Sequence, residues 1–167
     1  MTHALSRRGA LGLAIASGLA AGSALAATDD DLRATIRSFL DAYAAKNIDA
    51  LMAMLDPQGI LVIGTDAAEV ISTPAAARTL LEADFQLWEQ SAFRDFRSFA
   101  VRREGRGASI FFEVPWSRLN PGEPDFLLRF AQFWVRRHDG WKLAQSLNAV
   151  ATQGQSAAEI AAHMAPH

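Results

Sequence analysis

The chain has 167 residues, of which 50% are hydrophobic and 20% charged, with 16 basic residues, 18 acidic residues and no cysteine. That length suggests one domain with a core of its own, and that composition excludes a disordered chain. Zero cysteine excludes disulfides, thiolate metal sites and a cysteine nucleophile, and a net charge of −2 with a pI near 6.1 argues against nucleic acid as a partner.

The N-terminus reads Ser6-Arg7-Arg8-Gly9-Ala10-Leu11, followed by an uncharged run from Gly9 to Thr28 that passes through Ala24-Leu25-Ala26. A charged head, a modest apolar middle and a small-x-small exit make a secretory signal peptide over residues 1–26. The arginine pair, with Ser6 before it and Leu11 after it, resembles a twin-arginine signal, although Ala10 stands where such signals usually carry Phe. A Sec signal that happens to hold two arginines is the alternative route. A permanent anchor is a third reading, since the run is about long enough to span a bilayer. Its Ala and Gly content and its cleavage site count against that. Cleavage after Ala26 leaves 14 basic against 18 acidic residues, a mature net charge of −4. The expected location is periplasmic or secreted, with no stable membrane anchor after cleavage.

Shortly after the expected mature start at Ala27, Asp29, Asp30 and Asp31 sit where acids favour a helix N-terminus. Leu32, Ile36, Phe39, Leu40 and Tyr43 follow at helical spacing, ending near Lys46. Asn47 can cap a second, short helix with Ile48, Leu51 and Leu55 on its apolar face. Asp56-Pro57-Gln58-Gly59 reads as a turn, Ile60 to Ile63 as a short buried strand, and Glu69 to Ile71 as its return partner. Thr73 caps a third helix with Pro74 in its first position. Ala77, Leu80, Leu81, Asp84, Phe85 and Trp88 mark its faces, with Leu81, Phe85 and Trp88 as the core stripe.

From Phe93 onward the period changes to two. Phe93–Arg103, Ser109–Arg118, Phe126–Arg137 and Trp141–Val150 read as four long strands. Their breaks, Gly105-Arg106-Gly107, Asn120-Pro121-Gly122 and His138-Asp139-Gly140, are turn chemistry. Three helices before an antiparallel meander make an α+β domain, expected over residues 27–151, with a polar C-terminal tail over 152–167. Ile110, Phe112, Val114 and Trp116 point one way and Phe111 the other, and Phe126 to Val135 is apolar on both faces. One face covers the helices and any pocket. The other needs a cover that the chain cannot supply, which points to a homodimer.

Phe39-Leu40-Asp41-Ala42-Tyr43-Ala44-Ala45-Lys46-Asn47-Ile48-Asp49-Ala50-Leu51, Gly64-Thr65-Asp66 with Glu69, and Phe133-Trp134-Val135-Arg136-Arg137-His138-Asp139-Gly140-Trp141-Lys142-Leu143 resemble the SnoaL-like branch of the nuclear transport factor two-like superfamily. The resemblance covers about residues 30 to 151 and implies a cone: three N-terminal helices packed on a curved antiparallel sheet. It implies little about activity, because that cone hosts enzymes, binding modules and oligomerisation domains. The steroid isomerases of the superfamily use a tyrosine and two aspartates. By the resemblance those places fall on Phe39, Ile63 and Gln132, which argues against isomerisation by that route. Related cyclases and dehydratases use His, Asp and Tyr pairs inside the cone. Here the mature chain has only three histidines, His163 and His167 in the tail and His138 in a hairpin turn beside Asp139.

The polar residues expected to reach a cavity are Tyr43, Asp66, Glu113, Gln132 and Asn148. Asp66 and Glu113 are the weak candidates for acid–base work. Asp66 can instead bond its own turn. Glu113 facing inward would be a buried acid with a raised pKa; facing outward, the preferred reading, it pairs with an arginine such as Arg129 across the sheet. Gln132 and Asn148 can orient a ligand, or bond each other. Trp88, Phe112, Trp116 and Trp134 are the expected aromatic walls, with a solid core as the alternative. No metal constellation, phosphate loop or serine elbow is present, so no metal and no cofactor is expected. The leading expectation is an exported domain that binds a small apolar or aromatic molecule. The alternative is a cofactor-independent lyase, isomerase or polyketide-type cyclase.

Overall fold

The computed structural model describes residues 29–118 and 125–151, together with Glu159. The signal segment, the Asn120-Pro121-Gly122 turn and the tail other than Glu159 lie outside the described residues.

Helix α1 spans Asp29–Ala44 and turns Leu32, Ile36 and Leu40 onto one buried face. Lys46, at a left-handed φ of 55°, reverses the chain. Asn47 then caps α2 (Ile48–Met54) by accepting the Ala50 N–H at 3.1 Å. Thr73 does the same for α3 (Pro74–Asp84), accepting the Ala76 N–H at 3.2 Å. Phe85 and Trp88, expected on the face of this third helix, lie beyond its end. The Lys46 ammonium donates to the Phe85 carbonyl at 2.8 Å and to the Trp88 carbonyl. These bonds satisfy carbonyls at and just past the helix end and turn both rings inward against α1 and α2.

The strands are β1 (Leu61–Ile63), β2 (Val70–Ile71), β3 (Ala92–Phe93), β4 (Ser98–Glu104), β5 (Gly107–Ser117), β6 (Phe126–Arg137) and β7 (Gly140–Val150). They form one sheet in the order β2-β1-β7-β6-β5-β3, with β4 also paired to β5. The strand expected from Phe93 to Arg103 is therefore two strands. Opposite the break stands Pro115, which has no N–H to give the ladder. The N–H groups of Arg94 and Arg97 still donate to the carbonyls of Pro115 and Glu113, each at 2.9 Å. Between them Phe96 turns onto Phe99 and Phe112, at ring centroids of 5.0 and 5.3 Å.

The meander from β4 to β7 is antiparallel, as the alternation implies. The sheet as a whole is mixed, because β1 runs parallel to β7, from Leu61 opposite Gln145 to Ile63 opposite Leu147. Ala108, Ile110, Phe112, Val114, Phe130, Trp134 and Leu143 are buried with the α1 stripe in one core. Leu51, Phe85 and Trp88 form a second buried group, packed against Tyr43 and Trp116. No helix among the described residues is long and apolar enough to cross a membrane.

Asp56 anchors the turn after α2. Its carboxylate accepts from Arg137 Nε at 3.1 Å and Nη2 at 2.6 Å, and from the Gln58 N–H at 3.1 Å. The arginine bond, more than burial opposes it, holds this carboxyl below its ordinary range. The Asp56 N–H donates to the Leu143 carbonyl at 2.8 Å, and Lys142 Nζ to the Ala53 carbonyl at 2.7 Å. The last hairpin is thus pinned to the end of α2.

Candidate functional site

The α1 stripe covers only part of the inner sheet face. Beyond it, a cavity of about 400 Å³ opens between α1, α3, the β1–β2 hairpin and the inner faces of β5, β6 and β7. Its walls are largely apolar, among them Phe39, Leu81, Trp88, Phe93, Trp116 and Phe130. The aromatic rings brace one another: Trp88 meets Trp116 edge-on at 5.1 Å, and Tyr43 lies 5.6 Å from Trp88 and 5.9 Å from Phe93.

Tyr43 lines the cavity, and its hydroxyl donates to Asp84 Oδ2 at 3.0 Å. Asp84 also faces the cavity, from the last turn of α3. Burial pushes its carboxyl up and the charge of Glu69 adds to that, while the Tyr43 bond pulls the other way; burial wins. The phenol is pushed up as well, first by burial and then by the Asp84 charge. It therefore stays protonated at neutral pH and keeps donating.

Gln132, Ser146 and Asn148 form the second polar group, on the inner faces of β6 and β7. Trp134 Nε1 donates to Gln132 Oε1 at 2.9 Å, Gln132 Nε2 to Ser146 Oγ at 3.2 Å, and Ser146 Oγ to Asn148 Oδ1 at 2.6 Å. Trp116 and Trp88 line the cavity as expected. Phe112 and Trp134 do not: Phe112 is stacked on Phe130 at 4.7 Å, and Trp134 is wholly buried, edge-on to Phe39. Both belong to the core beneath α1, where the inner sheet face is already covered.

The two acid–base candidates lie off the cavity walls. Asp66 is exposed in the β1–β2 turn, where its Oδ1 accepts the Ala68 N–H at 2.8 Å and its own N–H donates to Glu69 Oε2 at 3.1 Å. Glu69, not Asp66, faces the cavity. A Cβ at Gly64 would sit 1.8 Å from Glu69 Oε2, so the carboxylate folds over the hairpin only because residue 64 is glycine. Glu113 is on the outer face, accepting from Arg129 Nε at 2.7 Å and Ser98 Oγ at 3.2 Å, and the arginine bond lowers its pKa. It meets its strand neighbours and does not line the cavity. The His138 side chain is 94% exposed, 3.7 Å from Asp139. That pair is solvated, and neither residue lines the cavity.

Polar cavity residues not expected from the sequence include Glu69, Asp84, Ser146 and Arg118. Asp84 carried a signal, an acid at helical spacing from Leu80, Leu81 and Ala77. Ser146 carried one too, since period two places it on the Asn148 face. Arg118 lines the cavity near Phe126, its guanidinium 5.4 Å from that ring, and a strand-end arginine carries no such signal. Among the described residues no group of three or more His, Asp and Glu side chains could hold a metal.

A family model described as a SnoaL-like domain matches residues 32–152. No curated protein matches the chain. Among solved structures the chain is similar to an NTF2-like protein of unknown function from Pseudomonas putida KT2440, with a TM-score of 0.66 at 12% identity over 75% of this chain and 88% of that one. It is similar to a candidate dehydratase of the NTF2-like family from Streptomyces avermitilis, with a TM-score of 0.62 at 13% identity over 73% and 95%. A candidate scytalone dehydratase from Novosphingobium aromaticivorans gives a TM-score of 0.63 at 12% identity over 74% and 83%. At such identities the likeness is one of fold.

Proposed function

The chain belongs to the SnoaL-like domain family, and we propose that it binds a small apolar or aromatic organic molecule inside the cone. The observation that carries this reading is the cavity of about 400 Å³, which is large enough for a ligand, apolar in its walls and equipped with two polar groups. Thermal-shift screening of aromatic and polyketide-like compounds tests it. At least one compound should raise the Tm of the wild type. Leu81→Trp, which places an indole in the cavity wall, should abolish that shift. A panel that leaves the wild type unmoved removes the reading.

A second reading, cofactor-independent lyase, isomerase or cyclase chemistry, is favoured by Asp84. A carboxyl with a raised pKa, bonded to a protonated phenol in an apolar cavity, suits proton transfer. Asp84 would take a proton from a carbon beside a ligand carbonyl and return it to the product. Solvent deuterium should then enter that carbon in a bound ketone, and Asp84→Asn should prevent it. Two fold relatives described as candidate dehydratases agree with this reading without assigning a residue to it.

Export and dimerisation complete the proposal. Export rests on Arg7, Arg8 and the Ala24-Leu25-Ala26 exit. The dimer rests on the outer sheet face, where Leu61, Ile63, Phe111 and Leu147 are all exposed. Protein recovered from outside the cytoplasm should begin near Ala27 and sediment at twice the chain mass. Cytoplasmic full-length protein would remove the first, and a stable micromolar monomer the second. Export that survives Arg7→Lys with Arg8→Lys would point to the Sec route.

A further inference from the structure

The polar chain in the cone has a direction, and at Gln132 that direction is forced. An indole N–H can only donate, so the Gln132 atom facing Trp134 Nε1 at 2.9 Å must be its carbonyl oxygen. That fixes the amide nitrogen of Gln132 toward Ser146, at 3.2 Å. The buried Ser146 hydroxyl accepts there, and its single proton goes to the acceptor within reach, Asn148 Oδ1 at 2.6 Å. The Gln132 amide is thereby oriented from the core outward, and the structure continues the chain with Asn148 Oδ1 on the serine. Gln132 has both ends of its amide engaged and has no free end for a ligand. Asn148 Oδ1 takes the serine proton, and its amide nitrogen meets no acceptor among the described residues. Asn148 lines the cavity.

Trp88 and Trp116 also line the cavity, but both indole nitrogens are buried out of its reach, without a hydrogen-bond partner among the described residues, so it is their rings that face the space. The phenol of Tyr43 already donates to Asp84. The amide nitrogen of Asn148 is therefore an uncommitted donor on the cavity wall.

We propose that the cone selects its ligand by a hydrogen-bond acceptor, with the amide nitrogen of Asn148 as the specificity-determining donor. The ligand class is an apolar or aromatic molecule carrying carbonyl oxygen, such as an aryl ketone, lactone or ester. A hydrocarbon of the same shape fills the cavity but leaves this donor unpaired, and discrimination on that ground is larger than discrimination by shape alone. The inference rests on the proposal that the cavity binds small molecules, and deepens it.

The test compares 1-tetralone with tetralin, which share a bicyclic skeleton and differ by the carbonyl oxygen. Affinities are measured by calorimetry on the wild type, Asn148→Leu and Asn148→Asp. The wild type should bind 1-tetralone about tenfold or more tighter than tetralin. Asn148→Leu should bring the ratio to about one while leaving tetralin affinity unchanged. Asn148→Asp keeps the shape and removes the donor, so it should lose the ketone preference as well; it also serves if the leucine variant fails to fold. Equal binding of both probes by the wild type overturns the acceptor rule and leaves the cavity reading standing. A ketone preference that survives both substitutions overturns the assignment to Asn148. Binding of neither probe overturns the rule and counts against the cavity reading too, which the wider compound panel then decides separately.

Discussion

Replacing Phe112 by alanine should cost about 3–5 kcal/mol of stability, the range for truncating a buried aromatic ring. Phe112 is wholly buried, stacked on Phe130 at 4.7 Å with the rings 16° apart. It also meets Phe96 edge-on at 5.3 Å and Phe99 at 6.1 Å. Alanine leaves these three rings facing a void that they cannot all fill, since Phe130 is held in a central strand. The melting temperature should fall by roughly 10–20 °C for a domain of this size. Phe111, one residue away on the outer face, is the internal control. It is 45% exposed, and Phe111→Ala should leave the stability of the single chain within about 0.5 kcal/mol. Thermal unfolding at low protein concentration measures both. Equal losses would mean that the two faces of β5 have been misassigned.

Asp56→Ala should be the second large loss, about 2–3 kcal/mol, for a different reason. Asp56 is only 3% exposed and accepts two bonds from Arg137 and one from the Gln58 N–H. Removing it leaves an arginine at the fold surface facing a hole, and a turn without its bond. The same pair makes the wild type sensitive to acid. The folded pKa of Asp56 lies below its unfolded value, so the unfolded chain takes up the proton first as pH falls. The stabilisation is complete above about pH 4, the unfolded carboxyl value, and is lost as pH falls through the folded one. Asp56→Ala should therefore narrow the gap to wild type when unfolding is measured at pH 3 instead of pH 7. A difference independent of pH would show that the ion pair contributes nothing.

The elements most legible in the sequence are those set by local chemistry. Asn47 and Thr73 cap the helices that their spacing announces, and β6 runs from Phe126 to Arg137 because alternation and turn residues bound it on both sides. The break between β3 and β4 was not legible from its own residues. Its cause, Pro115, lies on the neighbouring strand, and a missing N–H matters only once the register is known. The site divides the same way. Tyr43, Trp88, Trp116, Gln132 and Asn148 follow from period and polarity and do line the cavity. Phe112 and Trp134 satisfy the same pattern and fall into the core, because periodicity assigns a face and says nothing of which stretch α1 covers. Asp66 and Glu69 are three residues apart in one hairpin, and only the fold of the Glu69 carboxylate over Gly64 decides which of them faces inward.

The parallel ladder between β1 and β7 bears on how the cone is made. Strand β1 is the first strand made, yet its partner β7 is the last of the described strands to leave the ribosome. The bridge from Leu55 to Leu143 and the grip of Arg137 on Asp56 have the same long reach. Closing such loops carries an entropic penalty that neighbouring contacts cannot repay early, so these pairings raise the contact order and slow folding. The helical layer and the β4–β5 hairpin can assemble from adjacent segments during synthesis. The cavity cannot, because one of its walls is β7 and another is the hairpin that β7 holds in place. A nascent chain stalled before residue 140 would display the apolar lining of an open trough, and the final strand is what closes it into a cavity.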